Sequence, residues 1–124
     1  MVYADANIFL RFILNDNAEM ADYAEKMLEN EEVYLLHEVI SEMVYVLDKV
    51  YKTSRKDINK KLCMLLKYTT TTDQNVMEYA LQIYGDSKLD FVDCILCAYY
   101  RIKNIKVETF DKKLRKNLIN LLPD

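Results

Sequence analysis

Apolar residues recur along this chain at two spacings. Short apolar runs alternate with longer stretches whose apolar residues fall three and four apart, the period of a helix with one buried face. Residues 1–5 form a short apolar run closing on Asp5 and predict a strand. From Asn7, the series Ile8, Phe9, Phe12 and Ile13 predicts a helix. Asn15 or Asp16 is placed to cap a second helix, in which Met20, Tyr23, Ala24, Met27 and Leu28 recur. Val33-Tyr34-Leu35-Leu36 reads as a second strand. Val39 to Tyr51 is a strong amphipathic pattern carried by Val39, Ile40, Met43, Val44, Val46, Leu47 and Val50.

A break at Thr53-Ser54 follows, with Ser54 in capping position and Asp57 three residues on, close to a capping box. The helix it opens runs through Ile58, Leu62, Leu65 and Leu66. Tyr68 to Thr72 is β-branched enough for a very short strand, and Asp73 caps a helix with Val76, Met77, Ala80, Leu81 and Ile83. Phe91 to Ile102 is a largely apolar helix, Lys106 to Phe110 a strand, and Asp111 to Leu118 a last helix. Strands interleaved with helices predict an α/β fold around a central parallel sheet. No linker, repeat or low-complexity segment divides the chain, so residues 1–124 read as one domain.

Composition agrees. Of 124 residues, 52% are hydrophobic and 30% charged, which suits a globular domain and excludes a disordered one. A single glycine, Gly85, and a single proline, Pro123, leave too few turn residues for a sandwich or barrel. No apolar run reaches the roughly eighteen residues of a membrane span, and the first residues lack a basic segment before an apolar one. The odd set Cys63, Cys94 and Cys97 is no disulfide framework. A cytoplasmic protein is the expectation.

The chemistry is carried by acids. Ligands in open α/β sheets bind beyond the carboxyl ends of the strands. Asp5 ends the first expected strand, and Asp111 follows the strand finishing at Thr109-Phe110. Asp90 and Asp93, three apart at the start of the apolar helix, share a face. Glu42 lies within the most apolar helix, beside Ile40, Met43 and Val44, where burying it is costly without a partner or a metal. Converging carboxylates repel each other, and a hard divalent cation resolves this; oxygen-only ligands suit Mg²⁺ or Mn²⁺. Taken singly, each acid also fits a plain structural role, as a helix cap or a solvated side chain. The net charge of −3 does not exclude a nucleic acid: setting these five aside from the 20 acids leaves 15 against 17 basic residues.

Four segments carry a family resemblance: Val2-Tyr3-Ala4-Asp5-Ala6-Asn7-Ile8-Phe9-Leu10, Ile40-Ser41-Glu42-Met43-Val44-Tyr45-Val46-Leu47, Leu89-Asp90-Phe91-Val92-Asp93-Cys94-Ile95-Leu96 and Glu108-Thr109-Phe110-Asp111-Lys112-Lys113-Leu114. In order and spacing the set resembles the PIN-domain family, and within it the VapC-type toxins of toxin–antitoxin pairs. The resemblance implies a three-layer α/β/α fold with four or five short parallel strands. It implies an endoribonuclease pocket in which Asp5, Glu42, Asp93 and Asp111 bind Mg²⁺ or Mn²⁺, with Asp90 as an accessory acid and Asn7 and Thr109 orienting the acids. It also implies an RNA substrate, a cognate antitoxin that occludes the acids, and growth arrest as the outcome. Ala6 and Cys94 depart from residues the family often carries there, Thr or Ser and Ala respectively; the first change removes an orienting hydroxyl but no ligand.

The remaining polar residues are weaker signals. Cys94-x-x-Cys97 lies inside an apolar helix, and with His37 the sole histidine there are too few ligands for zinc. Of the basic residues, Lys112 and Arg115 follow Asp111 closely and Arg11 lies beyond Asp5, so each is placed to meet an RNA backbone or to be a solvated side chain. Apolar surface in excess of one small core suggests a homodimer or a groove for an antitoxin peptide. Two rivals stand beside the nuclease. A PIN-like binding module without catalysis has the same acids. A Mg²⁺-binding receiver-type domain needs paired acids after its first strand, where this chain has Asp5 alone.

Overall fold

Polar side chains at the starts and apolar stripes along the lengths set the helices of this computed structural model, which describes residues 1–120. In chain order the elements are β1 (Val2–Tyr3), α1 (Ala6–Leu14), α2 (Ala18–Asn30), β2 (Val33–Tyr34), α3 (His37–Lys49), α4 (Arg55–Leu66), α5 (Gln74–Asp86), α6 (Phe91–Lys103) and α7 (Lys112–Asn120). Asp5 accepts from the Ile8 N–H at 3.2 Å, Asn17 from Met20 at 3.0 Å and Ser54 from Asp57 at 3.2 Å. Each satisfies a donor that the first helical turn leaves without a partner. The cap of α2 falls later than Asn15 or Asp16. Asn15 instead takes a left-handed backbone, φ 51°, that closes α1, and Asp16 turns to Arg11.

The helices bury the stripes that their periodicity predicts. α5 packs between α4 and α6, α1 lies against α2, and α7 docks on α6. Ile58, Leu62, Leu65 and Leu66 of α4 meet a core that includes Val76, Met77, Ala80 and Leu81 of α5 and Ile40, Met43 and Leu47 of α3. A Cβ on Gly85 would stand 3.2 Å from the Asn59 Cβ, so the one glycine lets α5 close onto α4. Cys94 and Cys97 are fully buried in α6, and burial pushes their thiols up to about 12 and about 11. They are packing groups and carry no charge at neutral pH.

The sheet is smaller than the four or five strands expected. β1 and β2 pair in parallel, Val2 opposite Val33 and Tyr3 opposite Tyr34. The β-branched stretch at Thr70 adds one bridge to Tyr34, with Leu35 N–H donating to the Thr70 carbonyl at 2.8 Å and Thr70 N–H to Val33 at 2.9 Å. The segment Lys106–Phe110 forms no strand. Lys106 and Glu108, on one side of any strand there, are 85% and 80% exposed and pair with each other at 2.9 Å. Phe110 projects fully into solvent. A segment with so little to bury gains nothing from joining a sheet. Val33 faces the core while Tyr3 is 61% exposed, so the sheet is not closed over at Tyr3. The result is a mostly helical α/β domain around a two-stranded parallel sheet. No helix among the described residues is long and apolar enough to cross a membrane.

Because stability rests on the helix seams, neighbouring positions on α4 should differ sharply. Leu65 is fully buried and Met64 is 40% exposed. Leu65→Ala is expected to lower the unfolding free energy by about 2–5 kcal/mol, and Met64→Ala by less than about 1 kcal/mol. Urea unfolding followed by circular dichroism measures both.

Candidate active site

Four of the acids stand at helix starts, where aspartate is favoured locally and the positive end of the helix dipole meets its charge. Asp5 follows β1 in extended backbone and caps α1. Asp111 caps α7, its Oδ1 accepting from the Leu114 N–H at 2.9 Å. Asp90 occupies the cap position of α6 without bonding its side chain to that helix, and Asp93 lies in the first turn of α6. Docking of α7 on α6 through the buried Leu114 and Leu118 then brings Asp111 towards Asp93.

The electrostatics report this convergence. Burial holds the half-buried Asp93 carboxyl above the usual carboxylate range, and the like charges of Asp90 and Asp111 raise it further. Lys113 acts in the opposite direction, its Nζ anchored on the Lys88 carbonyl at 3.1 Å. Asp90, Asp93 and Asp111 therefore form one electrostatic group. Asp5 and Glu42 are exposed and are not among the charges that shift Asp93. For Glu42 this differs from the burial expected of it. Ile40, Met43, Val44 and Leu47 form the inward stripe of α3, and Glu42 falls on the solvent side.

The donor set fits a hard divalent cation in its chemistry, being oxygen-only and mutually repelling. Its spacing is more open. Among the described residues, no group of three or more His, Cys, Asp or Glu side chains is drawn together so as to hold a metal ion. Thr109 Oγ1 accepts from the Asp111 N–H at 3.0 Å and so positions the backbone of that acid, while Asn7 is exposed at the start of α1. Lys112 is exposed beside Asp111, and Arg115 donates from one guanidinium nitrogen to the Thr109 carbonyl at 2.7 Å. Arg11 is held otherwise. It binds both Asp16 oxygens at 2.9 Å and the Tyr51 hydroxyl at 3.1 Å, which ties the end of α1 to the residues after α3.

Arg55 is a residue that the sequence places in a basic cluster and the structure makes a lock. Its Nη1 donates to the carbonyls of Tyr84, Ser87 and Leu89 at 3.1, 3.0 and 2.8 Å, and its guanidinium lies 4.0 Å above the Tyr84 ring. These bonds fold the α5–α6 connection that delivers Asp90 and Asp93. Nothing in the local pattern distinguishes Arg55 from Lys56, which reaches only the exposed Asp86 at 3.3 Å. A cleft of about 590 Å³ between α1 and α4, rimmed by Lys60, Lys61 and Lys67, includes none of the predicted acids. We place the site by its carboxylates.

Two measurements check this description. Arg55→Lys is expected to lower stability by about 2 kcal/mol in urea unfolding, because an ammonium cannot lie flat on the Tyr84 ring while it reaches the three carbonyls. Asp93 has a folded-state pKa above its unfolded value, so its ionisation opposes folding. Stability is lost as pH rises from the unfolded value of about 3.9 through the folded one, and the deficit persists at higher pH. In EDTA, Asp93→Asn should therefore melt above the wild type at pH 7, with the difference shrinking as pH falls below about 4. A variant that melts below the wild type at pH 7 contradicts the assignment.

Comparison with known proteins gives one family. The PIN domain model matches residues 2–117, nearly the whole chain. No curated protein and no solved structure matches it. The match spans β1 with Asp5, α3 with Glu42, α6 with Asp90 and Asp93, and the turn into α7 with Asp111. This chain belongs to the PIN domain family, whose members have a nuclease-type fold and are generally nucleases.

Proposed function

We propose that this PIN domain is a metal-dependent endoribonuclease and the toxin of a toxin–antitoxin pair. The observation that carries the reading is the gathering of Asp90, Asp93 and Asp111 at the starts of α6 and α7, where burial holds the Asp93 carboxyl above its usual range and the two neighbouring acids raise it further. Carboxylates that repel one another gain most from a bound cation. Asp5, Glu42, Asp93 and Asp111 are the residues that hold it. Mg²⁺ or Mn²⁺ bound there supplies Lewis-acid polarisation of a phosphodiester oxygen and a water of lowered pKa.

The side chains have separable tasks. Asp90 adds negative charge one helical turn before Asp93. Thr109 fixes the approach of Asp111, and Asn7, exposed two residues after Asp5, is the residue proposed to orient that acid. Lys113 offsets part of the acidic field. Lys112 and Arg115 are the exposed cations for the RNA backbone on this side. Arg11 leaves that set, because Asp16 and Tyr51 occupy its guanidinium. The partners that go with this reading are RNA as substrate, a cognate antitoxin that covers the acids, and a second copy of the chain in a cytoplasmic homodimer.

A binding module without catalysis is the second reading, favoured by the open spacing of the acids. One experiment separates the two. Full-length protein free of any partner is incubated with a mixed single-stranded RNA pool and Mn²⁺, beside Asp93→Asn. Cleavage that requires Mn²⁺ and falls in the variant by more than the roughly 10–100-fold of a lost orienting contact is the expected result. Mn²⁺ should also raise the melting temperature of the wild type and not of Asp93→Asn. Metal binding with no cleavage of any RNA supports the module.

A further inference from the structure

Beside the acids, between α3 and the start of α6, lies a groove of about 380 Å³. This is within the range of small-molecule sites, about 300–1,000 Å³. Tyr45 and Asp48 form its α3 wall and Asp90 and Val92 its α6 wall, with Arg55 and Tyr84 at its base. Asp90 belongs to both places, since it lines the groove and raises Asp93. The groove therefore continues directly from the acidic group.

Its chemistry selects among occupants. Tyr45 and Val92 are 64% and 60% exposed, so an aromatic ring and an aliphatic side chain are left to water on opposite walls. The cations are engaged: Arg55 on three carbonyls, and Lys49 on Asp48 at 3.4 Å. A phosphate here meets the carboxylates of Asp48 and Asp90 beside cations that already have partners. Asp90 makes no cap bond and Asp48 meets Lys49 through one oxygen, which leaves carboxylate acceptors as the open polar groups. Burial raises the Tyr84 hydroxyl, and Asp48 and Asp90 both push it further, which places the two acids around the same floor. The fitting ligand is flat, uncharged and rich in N–H donors.

We propose that this groove is a base-recognition subsite and that it selects guanine, stacked on Tyr45 with its N1–H and N2–H donors on the Asp48 carboxylate. Guanine alone among the four bases presents two adjacent donors on that edge, matching the two acceptors of a carboxylate. Adenine, cytosine and uracil each set an acceptor beside their donor, and that acceptor is repelled. The inference deepens the nuclease reading and rests on it for its meaning, since it names single-stranded RNA with an unstacked guanine next to the cut as the substrate class.

The test uses binding, so its result is independent of cleavage. The full chain in EDTA is titrated with guanosine, adenosine, cytidine and uridine and followed by ¹H–¹⁵N NMR. Guanosine should shift the amides of Tyr45, Asp48 and Val92 and bind about tenfold tighter than the other three nucleosides. Tyr45→Ala should weaken all four by about fivefold or more, as loss of a stacking platform does. Asp48→Asn should keep the stacking and lose the preference for guanosine. The variants' own spectra report that they are folded. Equal binding of all four nucleosides, shifts confined to other surfaces, or an Asp48→Asn variant that still prefers guanosine would each overturn the proposal. RNA cleavage without a guanosine response leaves the nuclease and removes the subsite. A guanosine response without cleavage does the reverse.

Discussion

The packing of α5 between α4 and α6 is the constraint from which the rest of this molecule follows. Val76, Met77, Ala80 and Leu81 are fully buried on α5, and the opposing stripes of α4 and α6 are buried as completely. Each of the larger side chains among them contributes about 1.5–3 kcal/mol of transfer free energy, against strands only two residues long. Helix seams therefore dominate, and the sheet serves mainly to aim the chain from β1 into α1 and from β2 into α3. Because the fold is set by these seams, the ends of the helices are free to carry charge.

That freedom explains where the acids are. A helix start offers unpaired N–H groups and a positive dipole end, both of which favour a carboxylate. Asp5, Asp90, Asp93 and Asp111 use three such starts, and the docking of α7 on α6 gathers the last three. Local stabilisation at each start is opposed at Asp93 by its burial first and by the charges of Asp90 and Asp111 second, which together raise its carboxyl. A site that repels itself when empty of cations is a common cost of binding them. Arg55 supports the arrangement from behind, since the carbonyls it holds belong to the last turns of α5 and to the connection leading into Asp90.

The same lock shapes the neighbouring groove. Stacked under Arg55 and edge-on to Phe91 at 5.9 Å, Tyr84 is fixed as a floor, and the cation is kept from any ligand above it. One residue thus sets the position of the acids and keeps its own charge out of the adjoining groove. The proposed chemistry and the proposed base selection share Asp90 as their boundary.

The sequence by itself determined the helices, because a stripe of apolar residues three and four apart has one way to be buried. Ser54 and Asp57 marked the start of α4 for the same local reason, and the buried C-x-x-C was legible as core from its apolar neighbours. The ordered motifs around Asp5, Glu42, Asp93 and Asp111 made the family legible. What only the tertiary structure decided depends on long-range partners. Lys106–Phe110 has strand-like composition yet forms no strand, since its charges meet each other and solvent. Glu42 lies in an apolar helix yet faces water, because a difference of one residue turns a side chain by about 100° around the helix. Arg11 and Arg55 look alike along the chain. Their opposite uses, a strut to Asp16 and Tyr51 and a clamp on carbonyls 29 to 34 residues away, arise only when the folded chain supplies the acceptors.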